Sequence, residues 1–217
     1  MKKTSLEEQI LQTAEELFLE KGFDATSTTD IAKKVGCNQA LVHYYFRTKE
    51  NLFMQIFAKK STMVFECLKL SEGADFQTAL NDFIDAYFEL LMNNRRLPFF
   101  IINELIMRDD RRQYFRKKVI ESPKYIEHYG LWNALLQKEI AAGRIRPIEL
   151  SDLTLHVVSL LVFTFISLPL YSDFFEKDEI GIDTYLSHRK EAIKEVIFRG
   201  IEVLPNKEGN ESHPEKG

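Results

Sequence analysis

The chain has 217 residues, of which 45% are hydrophobic and 29% are charged, a balance typical of a globular protein with a substantial core. Its net charge of −4, taken alone, argues weakly against a nucleic-acid partner. Six Lys or Arg residues but one Glu fall between residues 33 and 60, a local charge of +5. This cluster favours a local anionic partner, and a solvated run of charge is the alternative.

The cysteine content excludes a disulfide framework. Cys37 and Cys67 are the two cysteines, without CxxC spacing, so we expect small buried side chains in the reducing cytoplasm. The first residues hold two lysines without a following apolar run, which predicts no signal peptide. The longest apolar stretch, 157–170, falls short of the roughly 20 residues of a membrane span and predicts a buried helix.

Helical periodicity recurs along nearly the whole chain and predicts an all-α fold. Local signals mark the first helices: Ser5 with Glu8 and Ser27 with Asp30 as capping boxes, and Asn38 and Thr48 as N-caps. Gly22 and Gly36 are expected helix stops. The predicted helices span about 5–21, 28–35, 39–45, 48–70, 76–93, 98–107, 111–120, 124–142, 151–175 and 182–203. The polar segment 205–217 is expected to be disordered.

The two short helices around Gly36 have the spacing of a helix-turn-helix, whose second helix lies in the DNA major groove. At the start of that helix, Asn38 and Gln39 have side chains that can hydrogen-bond base edges. Ala40 is small enough for close approach, and Leu41 can contact a thymine methyl group. We therefore expect these four residues to read the DNA sequence.

Aromatic side chains crowd the rest of the second helix. Val42 and a Phe four residues later are expected to face a small core. His43, Tyr44 and Tyr45 can then donate to phosphate oxygens, although each Tyr alone could equally be a wedge between helices. Lys49, at the start of the next helix, is expected to share a phosphate with backbone N–H groups.

The stretch "FDATSTTDIAKKVGCNQALVHYYFRTKENLF" resembles the N-terminal domain of the TetR family of bacterial transcriptional regulators. The residues that carry the resemblance are Thr26, Ser27, Ile31, Ala32, Gly36, Tyr45, Phe46, Lys49, Glu50 and Leu52. Ser27 and Thr28, which open the first short helix, join the candidate DNA contacts. His43 stands where the family usually has a phosphate-binding Tyr, and Cys37, Asn38 and Ala40 also depart from its pattern, which leaves the operator sequence open.

The resemblance implies a two-domain homodimeric regulator, most simply a repressor of a near-palindromic operator, which a small hydrophobic ligand releases from DNA. We place the helix-turn-helix domain at 4–64 and an effector-binding and dimerisation domain at 65–204. The last two long helices are expected to pair with a second copy because the first of them is apolar nearly all round. The candidate interface residues are Leu153, Val157, Leu160, Leu161, Thr164, Leu168, Ile193, Val196 and Ile197.

The middle helices carry aromatic and methionine side chains suited to an apolar ligand pocket. The candidate pocket residues are Phe99, Phe100, Asn103, Glu104, Met107, Trp132 and Phe163. The alternative is that these side chains only fill the core and that Glu104 faces water.

An enzyme and a protein–protein adaptor are the alternatives to a regulator. An enzyme could use Glu127, His128 and Glu139 as an acid–base site, but no catalytic or metal-binding motif is present, so we expect neither catalysis nor a cofactor. A helical protein–protein adaptor without an effector pocket is the second alternative. It would not need the constellation from Asn38 to Lys49.

Overall fold

The computed structural model describes residues 5–177 and 181–203, with side chains for all of these except 172–177. Within these ranges the chain forms ten α-helices and no β-strand. They are α1 (Leu6–Lys21), α2 (Thr28–Val35), α3 (Gln39–Phe46), α4 (Lys49–Glu66), α5 (Phe76–Asn93), α6 (Leu97–Met107), α7 (Asp109–Phe115), α8 (Pro123–Ala141), α9 (Leu150–Lys177) and α10 (Ile182–Ile201). The all-α prediction is confirmed, and the predicted segment 205–217 lies outside the described residues.

The predicted caps begin the first four helices. Ser5 and Ser27 form complete capping boxes with Glu8 and Asp30. The side chains of Asn38 and Thr48 accept hydrogen bonds from the first turns of α3 and α4. These side chains satisfy backbone N–H groups that have no partner inside the helix, which is why short polar residues locate helix starts well.

Two predicted helices differ from the structure at their ends. The fourth helix ends at Glu66 instead of residue 70, because the N–H groups of Cys67 and Leu68 bond three residues back in tighter turns. The predicted helix 111–120 is α7 followed by a π-helical turn at Arg116–Ile120. The N–H of Glu121 bonds back to the carbonyl of Arg116 and closes that wider turn.

The buried side chains form two clusters. The smaller one is built on α1 to α4, but it also contains Phe100 of α6, with Tyr114 and Phe115 of α7 packed against it. The larger cluster is built on α5, α8, α9 and α10. Packing therefore crosses the domain boundary predicted near residue 64: α6 belongs to both cores.

The central helix α9 is apolar on most of its circumference. The part Leu150–Tyr171 is long and apolar enough to cross a membrane by length and composition. The prediction that the apolar stretch is too short for a membrane span therefore holds for 157–170 but not for this longer segment. In the structure 44% of the most apolar 18-residue window of this segment is buried inside the chain. Core helices of helical bundles meet the same length and composition test.

Most residues expected at a dimer interface are instead buried inside the single chain. Leu153, Val157, Leu161, Leu168, Ile193 and Ile197 belong to the larger core, and Thr164 is also buried. In this conformation they have no surface left for a partner. Of the nine predicted residues, Leu160 is partly buried and Val196 is 59% exposed.

The apolar side chains that α9 leaves exposed lie on a different face. Leu155, Phe163 and Leu170 are 66%, 64% and 74% exposed, and Tyr171 follows them. With Val196 of α10 they form what we call the outer face of α9 and α10. An apolar surface of this kind typically marks an interaction site.

Candidate nucleic-acid interface and internal cavity

The turn between α2 and α3 depends on Gly36. This residue has a φ of 80° and a ψ of 30°, in the left-handed region that favours glycine, and its N–H closes the end of α2. The N–H of Cys37 bonds back to the Ala32 carbonyl, and Asn38 then begins α3. Cys37 itself is partly exposed instead of buried, as is Cys67.

The helix α3 has one buried side and one broad exposed side. Val42 and Phe46, four residues apart, are 1% and 3% exposed and anchor the helix to the smaller core. The opposite side carries the side chains predicted to contact DNA. Ser27, Asn38, Gln39, Ala40, Leu41, His43, Tyr44 and Tyr45 are all exposed, and Thr28 is partly exposed.

Some of these side chains already have partners in the absence of DNA. The Nε2 of Gln39 donates to the Thr28 hydroxyl over 2.9 Å and links the two helices of the motif. His43 Nδ1 lies 3.0 Å from the Arg47 carbonyl oxygen. Tyr44 is 68% exposed and meets only the edge of Tyr45, with ring centroids 5.3 Å apart. Tyr44 therefore projects furthest from the helix.

Lys49 has a structural role that the sequence did not indicate. Its Nζ donates to the carbonyl oxygens of Phe23 and Thr26 over 2.9 and 3.0 Å. It also lies 4.1 Å from the centre of the Phe23 ring, within the range of a cation–π interaction. Two of its three N–H groups thus hold the turn between α1 and α2, and one remains for a phosphate.

The basic window is less positive in space than in sequence. Lys34 pairs with Glu16 at 3.0 Å, and Lys60 pairs with Glu15 at 2.5 Å. Lys59 lies 4.0 Å from the same Glu15. Two acidic residues of α1 therefore pair with three of the six cations and offset two of the positive charges, so the charge argument alone overstates the attraction for DNA.

The seven candidate pocket residues do not line one cavity. Phe99, Phe100, Asn103 and Glu104 border an open groove between α1 and the α6–α9 pair. Phe100 and Glu104 are buried, while Phe99, Met107 and Phe163 are mostly exposed. Trp132 is a core residue whose Nε1 donates to the Leu68 carbonyl over 2.8 Å. Four of the seven predicted residues thus border one groove, whose lining does not include Met107, Trp132 or Phe163.

A different cavity, of about 230 Å³, lies between α4, α5, α6 and α9. Its lining is almost wholly apolar: Val64, Leu91, Leu97, Pro98, Ile101, Ile102, Leu105, Phe115, Val158 and Val162, with Ser61 and Tyr87. The Ser61 hydroxyl donates to the Phe57 carbonyl, which leaves its oxygen as an acceptor. Burial raises the pKa of Tyr87, so its phenol stays neutral. The cavity suits an apolar molecule with a single polar group.

The residues considered for acid–base catalysis are not assembled. Glu139 is buried and paired with Arg144 through two hydrogen bonds of 2.6 and 2.8 Å. His128 Nδ1 lies 2.8 Å from the Lys124 carbonyl, and its ring packs against Phe65. Among the residues that the structure describes, no group of three or more His, Cys, Asp or Glu could hold a metal ion.

Comparison with known proteins agrees with the geometry. Residues 10–56, which cover most of α1, all of α2 and α3 and the start of α4, match the family described as "Bacterial regulatory proteins, tetR family". The fold and this exposed helix-turn-helix define a DNA-binding transcriptional regulator. The DNA-binding domain of the chain is of the TetR family.

The relatives are transcriptional regulators. Over 52 residues the chain is 42% identical to the regulator QacR of Staphylococcus aureus, a match that covers 24% of this chain and 28% of QacR. Over 140 residues it is 26% identical to the fatty acid metabolism regulator protein of Bacillus subtilis, covering 64% of this chain and 70% of that protein. The chain thus spans little more than a quarter of QacR and about two thirds of the second relative.

Solved structures show the same fold over almost the full chain. A tetR-family regulatory protein from Rhodococcus RHA1 aligns with a TM-score of 0.71 at 16% identity, covering 94% of this chain and all of that one. The regulator PfmR of Thermus thermophilus aligns with a TM-score of 0.63 at 23% identity, covering 89% of this chain and 99% of that one. At these identities the likeness to the two solved structures is one of fold.

Proposed function

We propose that the protein is a cytoplasmic repressor that binds a near-palindromic operator as a homodimer and leaves it when a small hydrophobic effector binds. The observation that carries this proposal is the exposed side of α3, held on the small core by Val42 and Phe46. A helix so placed can enter the major groove, and a dimer presents two of them about 34–36 Å apart.

The DNA contacts divide by chemistry. Asn38, Gln39, Ala40 and Leu41 lie at the start of α3, the part that contacts base edges in such motifs. The polar groups proposed for phosphate contact are those of Ser27, Thr28, His43, Tyr44 and Tyr45, with Lys49 at the start of α4. Because Gln39 bonds Thr28 in the free protein, reading a base requires that this hydrogen bond be exchanged for one to DNA.

The outer face of α9 and α10 is the proposed dimer interface. A groove of about 310 Å³ lies beside it, lined by Leu160, Val196 and other residues of the two helices. The resemblance to the TetR family, whose members pair through two C-terminal helices, makes a second copy the expected occupant. The interface is centred on Phe163 and Leu155 and not on the buried Leu161.

The effector site that we propose is the 230 Å³ cavity. Ligand pockets are typically about 300–1,000 Å³, so the effector is compact or widens the cavity as it binds. Its apolar lining favours an aliphatic molecule, and the Bacillus subtilis relative is named for fatty acid metabolism. Widening would move α6, which also packs in the core of the DNA-binding helices.

A helical adaptor without an effector pocket remains the alternative. It would use the same outer face but would not need a 230 Å³ cavity or an exposed α3. Binding to specific DNA fragments separates the two functions.

Selection of bound fragments from genomic DNA, followed by mobility-shift titration with random competitor, tests the regulator. We expect Gln39→Ala to lose about 1–3 kcal/mol on the selected site and little on random DNA. Gln137→Ala, an exposed glutamine on α8, is the matched control and should bind like the wild type. Absence of any selected fragment, or equal losses by Gln39→Ala on both DNAs, would contradict sequence reading by α3.

A further inference from the structure

A buried arginine joins α7 and α6 to the DNA-binding helices. Arg111 of α7 is 1% exposed, although arginine is rarely buried without a specific set of partners. Its guanidinium carbon lies 3.9 Å from the centre of the Phe53 ring and 4.3 Å from that of Phe23. Phe53 belongs to α4, and Phe23 to the turn between α1 and α2, so the cation lies between two rings of the DNA-binding helices.

Two carboxylates complete the environment of Arg111. Nη1 forms an ion pair with the buried Glu104 of α6. Nη2 lies 3.3 and 3.4 Å from the two oxygens of Glu50, in the first turn of α4. The arginine thus contacts one acid on each side of the domain boundary predicted near residue 64.

A second arginine grips the same turn. Arg108, between α6 and α7, pairs with Asp24 at 2.6 Å and lies 5.5 Å from the Phe23 ring. Phe23 and Asp24 lie in the same turn as Thr26, whose carbonyl accepts a hydrogen bond from Lys49, and Ser27, which caps α2. We call Glu104, Arg108 and Arg111, with Phe23, Asp24, Glu50 and Phe53, the latch.

The helix α6 connects the latch to the cavity. Its side with Ile101, Ile102 and Leu105 lines the cavity, while Glu104 points to Arg111. A displacement of α6 is therefore transmitted to the turn that leads into α2. Salt screens a buried ion pair of this kind far less than a surface pair.

The chemistry of Arg111 indicates a role in orientation. Burying a charge is costly, and replacing a buried ion pair by apolar side chains is often neutral or stabilising. An apolar residue between Phe23 and Phe53 would suffice for packing alone. What the guanidinium adds is direction, because its planar fork fixes both rings and both carboxylates in one arrangement.

We propose that Arg111 is a positioning residue that locks α6 and α7 onto the α1–α2 turn and so fixes the orientation of the DNA-binding helices relative to the rest of the chain. The effect on DNA affinity rests on the function proposed above, whereas the effect on orientation does not. Without the contacts of Arg111, only part of the population has the two α3 helices of the dimer at the spacing that DNA binding requires.

Distances between spin labels test the orientation directly. Labels at Lys33→Cys on α2 and Gln137→Cys on α8, in a Cys37→Ser and Cys67→Ser background, report the two parts of one chain. Labelled chains are diluted with unlabelled ones so that a dimer adds no second distance. We expect a narrow distance distribution with Arg111 present and a broad one in Arg111→Met.

Further variants separate positioning from general stability. Arg112→Met, which removes a 52%-exposed arginine next to Arg111, should keep the narrow distribution. Arg111→Lys keeps the charge but lacks the planar fork, so it should also give a broad distribution. Glu104→Gln should broaden it and replaces Arg111→Met as the test if that variant does not fold. Narrow distributions in Arg111→Met and Glu104→Gln would overturn the proposal, as would a broad one in Arg112→Met.

DNA affinity is the second measurement. On a selected fragment, Arg111→Met should bind roughly tenfold more weakly than the wild type, within the range typical of coupling between sites. Unchanged affinity in a variant with a broad distribution would overturn the link to DNA. If the wild type binds no DNA but the distributions behave as expected, the proposed function fails and the positioning role stands.

Discussion

At the scale of single residues, Lys49 illustrates how one side chain can serve the fold and the interface together. Its spacing after the aromatic cluster predicts a phosphate contact, and this remains possible for one N–H group. Its two hydrogen bonds go to the carbonyls of Phe23 and Thr26, which precede it in the sequence by 26 and 23 positions. No local pattern could have indicated them, because the bonding carbonyls are backbone groups whose position depends on the packing of α1 against α4.

We expect Lys49→Ala to destabilise the protein by about 1–3 kcal/mol, the cost typical of losing hydrogen bonds to a charged group. DNA affinity should fall on all sequences, and its salt slope should become smaller by roughly one, because one N–H group of Lys49 contacts a phosphate. Thermal unfolding and titrations at several salt concentrations measure both effects, with the exposed Lys33→Ala as control. An unchanged salt slope would instead show that Lys49 acts only through the fold.

Residues that act locally were predictable, and residues that act across the chain were not. The N-caps are Ser5, Ser27, Asn38 and Thr48. Each accepts a hydrogen bond from an N–H group two or three residues later, so the local sequence is enough to predict it. Arg111 and Phe53 are 58 positions apart in the sequence. An arginine in the polar segment "RDDRR" looks like a solvated charge until α7 is placed against α4.

At the scale of elements, α9 is a helix whose buried face could not be predicted from hydrophobic periodicity. A helix that is apolar nearly all round does not indicate which face packs inside its own chain and which faces a partner. The structure places Leu161 in the core at 0% exposure and Phe163 outside at 64%. Two positions in sequence correspond to about half a helical turn, which separates the two roles.

These faces give a paired prediction. Phe163→Glu should yield folded monomers, because a charge on the outer face disfavours burial against a second copy. Leu161→Glu should unfold the chain, since an unpaired buried charge costs about 3–5 kcal/mol. Light scattering and circular dichroism distinguish the outcomes. A dimeric Phe163→Glu protein, or a folded monomeric Leu161→Glu protein, would contradict this assignment of the faces.

The orientation of α6 determines which of its residues line a cavity and which pack in the core. The sequence shows an apolar helix with Asn103 and Glu104, and two neighbouring faces could each have lined a cavity. In the structure Phe100 packs against Phe53 and Phe57, and Ile101 and Ile102 face the cavity. Rotation about the axis of α6 depends on contacts with three other helices, which helical spacing does not record.

At the scale of the whole molecule, the cavity predicts how binding can be blocked. Val158→Trp on α9 should fill part of the 230 Å³ space and weaken binding of dodecanoic acid or N-phenylnaphthylamine at least roughly tenfold, because larger side chains remove the available volume. Val203→Trp, outside the cavity and 52% exposed in the unchanged protein, is the control. Fluorescence titration measures the affinity for N-phenylnaphthylamine, and displacement of this dye by dodecanoic acid measures the affinity for the acid. Equal affinity in the wild type and Val158→Trp would exclude this cavity as the site for these probes.

The sharing of α6 between two cores limits how this regulator can be recombined with others. A chimeric biosensor made by joining residues 1–64 to a foreign ligand domain would strip Phe100 from the smaller core and leave the rings of Phe53 and Phe57 without that neighbour. It would also remove Arg108 and Arg111 from the Phe23 turn. A domain exchange must therefore transfer the residues of α6 and α7 that pack against α1–α4 together with those helices. Otherwise the contacts between the DNA-binding helices and the new ligand domain must be redesigned.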